Sequence, residues 1–274
     1  MTSQLTEIVE NKKAEVALRK AVSMEESKKA STPAPVQTDE EAARGANFVA
    51  ALQKADLNLI CELKPKSPSA GVLKADFNPA EILPHYQKEA AAISVLTDSK
   101  YFGGSLALLA QVAENTKLPL LCKDFIIDPF QCQEAVLAGA SAILIMVKIL
   151  DDESLSECHT MALSCGLAPV VEVQNEAELE RALKLDPKII LINNRNLDTF
   201  IMDMETTARL APLIPDSVVK ISASGYSARA EIEAALPYSH NFLIGSSLMT
   251  TGDIVSKLQE LKGKSGDMAQ GKKA

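Results

Sequence analysis

Lysines, carboxylates and amides recur in this 274-residue chain at one kind of place, the downstream end of short apolar runs. Glu62, Lys64, Lys66, Ser67 and Ser69 end or follow the run 57–63; Thr97 and Asp98 follow 92–96, and Lys123 and Asp124 follow 118–122. Lys148 follows 142–147, Glu172 closes 168–173, and Asn193, Asn194 and Arg195 follow 189–192. The last two runs end in Ser222-Ala223-Ser224-Gly225 and Gly245-Ser246-Ser247. Lysines and glutamates that face one another in a cleft shift each other's pKa, which is how acid and base are supplied together at neutral pH. One such residue alone reads as a solvated loop side chain, Lys148 included; their convergence is what points to chemistry. Turns at Gly225 and at Gly245-Ser246 suit a phosphate held on backbone N–H groups, and Ser67 and Ser69, flanking the rigid Pro68, are placed to close on the same phosphate. His85, His159 and His240 fall in or beside helices and loops, so no Cys-His or Ser-His-Asp set forms and acyl transfer is disfavoured.

The elements that must carry these groups follow from periodicity. The eight runs have strand length and their centres lie about 20 to 35 residues apart, enough for a strand, a loop and a helix, which predicts successive βα units and a parallel sheet. Asn78-Pro79, Asp128-Pro129 and either Asp151 or Asp152 mark helix starts, and Gly139 and Gly166 mark helix ends. Eight even units predict an α/β fold of the single (β/α)8 TIM barrel type, with the site at the strands' C-terminal ends. An open doubly wound sheet is the alternative, but no G-x-G-x-x-G follows the first run. Leu5, Ile8, Val9, Val16 and Leu18 predict an amphipathic helix over 1–29, and 30–38 reads as a linker. The expected organisation is an N-terminal helical extension and linker (1–45), a barrel (46–262) and a flexible tail (263–274).

Composition bounds the partners. With 28 basic against 36 acidic residues and a net charge of −8, neither nucleic acid nor an anionic membrane is the expected partner; a small molecule is. Five cysteines without a C-x-x-C pair predict no structural zinc and a reducing, cytoplasmic setting, with Cys61 and Cys122 acting as small hydrophobes. The first residues carry acids and no apolar core, unlike a signal or transit peptide, and no run approaches the ~18 apolar residues of a membrane span.

The segments Glu62-Leu-Lys-Pro-Lys-Ser-Pro-Ser69, Ala92-Ile-Ser-Val-Leu-Thr-Asp98, Tyr101-Phe-Gly-Gly-Ser105 and Leu121-Cys-Lys-Asp-Phe-Ile-Ile-Asp-Pro129 closely resemble the indole-3-glycerol phosphate synthase family of tryptophan biosynthesis. So do Val171-Glu-Val173, Ile192-Asn-Asn-Arg-Asn-Leu197 and Phe242-Leu-Ile-Gly-Ser-Ser-Leu-Met249, and the resemblance runs from about residue 5 to 260. It implies a (β/α)8 barrel whose N-terminal helical extension helps cover the site. The implied activity is that of a carboxy-lyase: ring closure of the phosphorylated, anthranilate-derived 1-(2-carboxyphenylamino)-1-deoxyribulose 5-phosphate, with loss of CO2 and water. The resemblance makes Lys123 the general acid, Glu172 an acid-base group of the dehydration, and Glu62 with Lys64 a polar pair that orients substrate and assists proton transfer. Asn193 and Ser224 become substrate contacts, Phe125 an aromatic-ring contact, Arg195 a residue that fixes the site, and Ser69, Gly225, Gly245 and Ser246 the phosphate cradle. No metal or organic cofactor is implied, because the substrate's aniline nitrogen supplies the electron push. The protein is expected to act as a monomer or weak homo-oligomer.

The family has Ser-Glu-Ser-Gly where this chain has Ser222-Ala223-Ser224-Gly225, so a carboxylate expected beside the substrate is missing. Its loss implies activity lower by about 10 to 1000 fold, not abolished. Two other readings stay open: a Schiff-base aldolase acting on a sugar phosphate through Lys123 or Lys148, and a paralogue that binds its ligand without turnover.

Overall fold

The computed structural model describes residues 4–29, 43–54, 57–68 and 70–264. Eight parallel strands close on themselves: β1 (Asn58–Leu63), β2 (Ala92–Leu96), β3 (Leu120–Lys123), β4 (Ala142–Met146), β5 (Ala168–Val173), β6 (Ile189–Asn193), β7 (Val219–Ala223) and β8 (Asn241–Ile244). Each pairs with its sequence neighbours, and β1 completes the ring by pairing with both β2 and β8. Helices alternate with the strands around the outside, so the chain is a (β/α)8 barrel and the open sheet is excluded.

The helix starts are those the sequence marks. Asn78 caps the helix Pro79–Glu89 by accepting from the Ala80 N–H, Asp151 caps Asp152–Ser164 through the Ser154 N–H, and the Asp128 carboxylate accepts from the Phe130 N–H. Gly139 and Gly166 take the left-handed conformation (φ 85° and 72°) that ends the preceding helices.

Period-2 alternation sorts each strand's side chains. Leu59, Cys61, Leu63, Cys122 and Ile143 face the helices in the larger core, whereas Ile60, Leu121, Leu144, Val170, Leu191, Ile221 and Leu243 fill the barrel interior. Continuing the inward series one step toward the C-terminal ends gives Glu62, Lys123, Glu172, Asn193 and Ala223. Five strands thus deliver chemistry to one layer, and Cys61 and Cys122, on the opposite face, pack as hydrophobes; burial pushes the Cys122 thiol up to about 12.

Two further helices close the barrel's ends. Helix α2 (Arg44–Leu52) sends Phe48 and Leu52 into the interior core, and Gly45 donates to the Gly166 carbonyl ahead of β5 at 2.9 Å. A Cβ at Gly45 would meet the backbone of Gly166 to Ala168, so this contact requires glycine. Helix α1 (Gln4–Lys29) crosses the other end, where Leu5 and Ile8 join the cluster that contains Phe125. Its apolar stripe differs from the expected one: Leu5, Ile8 and Val16 are buried and Val9 is half-buried, while Leu18 is 68% exposed. The linker 30–38 and most of the tail lie outside the described residues.

Candidate functional site

At the C-terminal ends of the strands, Glu62, Lys64, Lys123, Glu172, Asn193, Arg195, Ser224, Gly225, Gly245 and Ser246 line one cavity of about 540 Å³. The Glu62 carboxylate is buried between two cations, with Lys64 Nζ 2.8 Å from Oε1 and Lys123 Nζ 3.6 Å from Oε2. Burial alone would push its pKa up, but Lys64 and Lys123 outweigh burial and hold it below the usual carboxylate range. Glu172 is the opposite case. Burial pushes its pKa up, and Lys123 together with the Asn193 amide, which donates to Oε1 at 3.1 Å, only partly offsets that. Two carboxylates flanking one lysine are thereby driven apart in proton affinity, which is the arrangement acid-base chemistry needs.

Backbone geometry holds the rim. Asn193 Oδ1 accepts from the Arg195 N–H at 3.0 Å and from Ser224 Oγ at 2.8 Å, tying the ends of β6 and β7 together. Ser224 and Gly225 both have positive φ (73° and 94°). For Ser224 this conformation is strained, and the hydrogen bonds to Asn193 Oδ1 and from Asn194 Nδ2 to the Ser224 carbonyl (3.1 Å) hold it. Met202, Tyr226, Ser227, Thr250, Thr251 and Lys257 complete the wall.

A second, smaller lobe of about 110 Å³ shares Lys64, Lys123, Glu172, Asn193, Arg195, Ser224 and Ser246 with the first and is otherwise largely apolar, lined by Leu96, Phe102, Phe125, Leu144, Met146, Leu197 and Phe200 beside Asp124. Phe102 and Phe125 stand 5.9 Å apart between ring centroids. Ser67 and Pro68 border this lobe, on a short antiparallel ribbon in which Lys66–Ser67 pairs with Gly71–Val72. Ser69 lies outside the described residues.

Several strand-end groups go elsewhere. Lys148 pairs with Asp198 at 2.6 Å and lines neither lobe. Asn194 and Ser222 join Thr207 and Tyr226 in a buried hydrogen-bond network that braces the loops after β6 and β7. Lys66 donates to the Lys100 carbonyl. Thr97 and Asp98 turn toward α1, as does Asp124, which also borders the smaller lobe: Lys12, 1% exposed, places Nζ 2.8 Å from Asp124 and 3.1 Å from Asp98. Sequence reasoning missed Lys12 and Lys257, since a lysine on a helix carries no sign of the surface it will meet. Among the described residues no group of three or more His, Cys, Asp or Glu is placed to hold a metal ion.

The family model described as indole-3-glycerol phosphate synthase matches residues 5–261. An indole-3-glycerol phosphate synthase of Endomicrobium trichonymphae is 41% identical over 218 residues, covering 79% of this chain and 84% of the relative. One from Dehalococcoides mccartyi is 42% identical, covering 77% and 83%. The tryptophan biosynthesis protein TrpCF of Helicobacter pylori (strain ATCC 700392 / 26695) is 43% identical over 76% of this chain, but the match spans only 46% of that longer protein. Among solved structures, 3-hexulose-6-phosphate synthase from Salmonella typhimurium superposes with a TM-score of 0.62 at 11% identity over 76% of this chain and 97% of that one, a likeness of fold. The match over nearly the whole chain, on a closed barrel with these groups at its strand ends, establishes that the chain belongs to the indole-3-glycerol phosphate synthase family.

Proposed function

We propose that the protein converts 1-(2-carboxyphenylamino)-1-deoxyribulose 5-phosphate to indole-3-glycerol phosphate in tryptophan biosynthesis. The observation that carries this reading is the two-lobed cavity: Ser and Gly turns with Lys257 border one lobe, apolar and aromatic side chains border the other, and Lys123, Glu172 and Asn193 stand where they join. The substrate has the same layout, a phosphate at one end, an aromatic ring at the other and the reacting ketone between.

In this reading Ser224, Gly225, Gly245 and Ser246 hold the phosphate, a role the resemblance also gives Ser69, while Ser67, which borders the apolar lobe instead of the phosphate lobe, contacts the substrate at its aromatic end, and Phe125 packs on the aromatic ring. Lys123 gives a proton to the ketone oxygen as the ring carbon that bears the carboxylate attacks the ketone carbon. The aniline nitrogen supplies the electron pair, and CO2 leaves without its C–C bonding pair, which stays behind in the ring and restores aromaticity. Dehydration then expels the new hydroxyl as water and removes a proton from the adjacent methylene carbon; Glu172, whose proton affinity burial raises above that of an ordinary carboxylate, serves these transfers. Glu62 and Lys64 orient the substrate and return protons, and Arg195 fixes the rim through Asn193. We place the protein in the reducing cytoplasm, as a monomer or weak homo-oligomer with no nucleic-acid or membrane partner, in keeping with its free cysteines and excess of acidic residues. Among the described residues no helix is long and apolar enough to cross a membrane.

The test is a continuous assay of indole product from this substrate, repeated with Lys123→Ala. Indole absorbance that disappears with Lys123→Ala supports the reading. Full activity in Lys123→Ala, or a borohydride-trapped adduct on Lys123, overturns the general-acid role.

A further inference from the structure

Helix α1 meets the loops after β2 and β3 through one buried cation. Lys12 Nζ lies 2.8 Å from Asp124 Oδ1, 3.1 Å from Asp98 Oδ2 and 3.0 Å from Glu15 Oε2. Asp98 and Asp124 are themselves buried, at 0% and 7% exposure. Each aspartate is committed to the loop that carries it. Asp98 Oδ1 accepts from the Tyr101 and Phe102 N–H groups (2.7 and 3.2 Å), while Asp124 accepts from Thr97 Oγ1 (2.8 Å) and from the Phe125 N–H (2.7 Å). Asp124 stands between Lys123 and Phe125, and the Thr97 N–H donates to the Lys123 carbonyl at 3.1 Å. Phe102 and Phe125 are the ring pair of the apolar lobe.

We propose that Lys12 is a positioning residue, which through Asp98 and Asp124 sets the place of Lys123 and of the Phe102–Phe125 wall, so that the site is complete only with α1 docked. A charge pair at a protein surface would not do this, because it is weak and adapts to solvent. Here one cation is shared by two buried carboxylates, and removing it leaves both without the positive charge that offsets them, in the loops that carry the reacting groups. Displacing a catalytic group by even 1 Å costs on the order of 100-fold in rate, so a modest shift of these loops is read in kcat. Lys20–Asp128 (2.7 Å), Lys100–Asn11 (3.1 Å) and Tyr101–Glu7 (3.0 Å) also join α1 to these segments, but at partly or fully solvent-exposed positions. Arg19 provides the contrast: it pairs with Glu134 at 2.8 Å on the outer helix Phe130–Leu137, touching neither loop.

The inference rests on the proposed ring closure for its kinetic readout, so a second readout independent of activity accompanies it. Lys12→Met is expected to lower kcat about 10 to 100 fold with KM changed by less than about threefold, measured well below its unfolding temperature. It also accelerates hydrogen exchange at the Tyr101, Phe102 and Phe125 amides. Arg19→Ala changes neither. Adding Asp98→Asn to Lys12→Met removes one stranded charge while keeping the Oδ1 acceptor, and recovers part of the lost kcat. Normal kcat in Lys12→Met with only a lower Tm, or equal losses in Arg19→Ala, would overturn the proposal. If Lys12→Met does not fold, the charge-balanced Lys12→Met/Asp98→Asn protein takes its place, and full kcat with unchanged exchange in it is equally fatal. A wild-type protein that makes no indole product contradicts the function reading alone, since amide exchange still decides the role of Lys12.

Discussion

Gly245, at the end of β8, leaves the space that the Glu62 carboxylate of β1 occupies: a Cβ at 245 would collide with Glu62 Oε1 and stand 3.1 Å from Glu62 Cβ. The glycine is therefore a requirement of the acid-base cluster as well as of the rim to which the phosphate is assigned. Its φ of −128° is open to any residue, so the cost of a side chain is steric alone. Gly245→Ala is expected to push Glu62 off Lys64 and Lys123 and to lower kcat about 10 to 100 fold, more than it raises KM. A change confined to KM, in a protein with unaltered circular dichroism, would assign Gly245 to phosphate binding only.

Glu172 sets the acid limb of the pH profile in the proposed mechanism. Activity that needs the ionised carboxylate is lost as pH falls through its pKa, and burial raises that pKa above the ordinary 4.5. Asn193→Ala removes a hydrogen bond that favours the ionised form, so the acid limb of kcat moves to higher pH; a limb that stays put excludes Glu172 as its source. Stability runs the opposite way with pH. A carboxyl whose folded pKa is raised contributes stability below its unfolded value and loses it as pH rises through the folded one. Glu172→Gln is accordingly expected to raise Tm relative to wild type, with a gap that widens as pH rises above the ordinary carboxylate value of 4.5.

The strand-borne part of this site was legible because a strand has only two faces. Once Ile60 and Leu121 are inward, Glu62 and Lys123 must be inward as well, and eight evenly spaced runs say that the inward groups converge. The same rule makes Cys61 and Cys122 packing residues. Groups beyond the strands were not separable. Asp124 adjoins Lys123 in sequence, yet it serves a lysine of α1 that only the closed fold brings to it. Lys148 looks like Lys123 after its own strand, but the loop beyond β6 supplies Asp198 to engage it. Nothing in Ala-Ser-Gly announces the left-handed backbone at Ser224, because neighbours distant in sequence impose it.

Lys148 and Lys123 are thus expected to differ sharply on replacement. The Lys148–Asp198 pair has one partly exposed member at each end, and such pairs contribute on the order of 0 to 1 kcal/mol. Lys148→Met is expected to retain kcat within about twofold, whereas Lys123→Met loses at least about 100-fold as a general acid. Borohydride treatment with substrate gives no adduct on either lysine. A trapped adduct on Lys148, or a Lys148→Met protein without activity, would instead support the aldolase chemistry.

Ala223, where the resemblance leads one to expect a carboxylate, has a definite location in the structure. The residue lies in the inward layer of β7, lines the larger lobe, and is aligned with Asn193 on β6 and Leu243 on β8. A longer side chain there would enter the cavity that holds Lys64, Lys123, Glu62 and Glu172, so a carboxylate at 223 is positioned to act on bound substrate without a change of backbone. Two effects compete in Ala223→Glu. A third carboxylate adds repulsion in a buried cluster and would lower Tm, while a charged carboxylate beside the reacting centre lowers the barrier, worth roughly 10 to 1000 fold in rate. Catalysis registers the second effect, because two lysines already stand in the cavity to neutralise the added charge. Ala223→Glu is expected to raise kcat within that range and to lower Tm, and Ala223→Gln, which adds bulk without charge, to raise neither. Equal kcat for wild type and Ala223→Glu would mean that the existing groups of this site already perform the step the family assigns to that carboxylate.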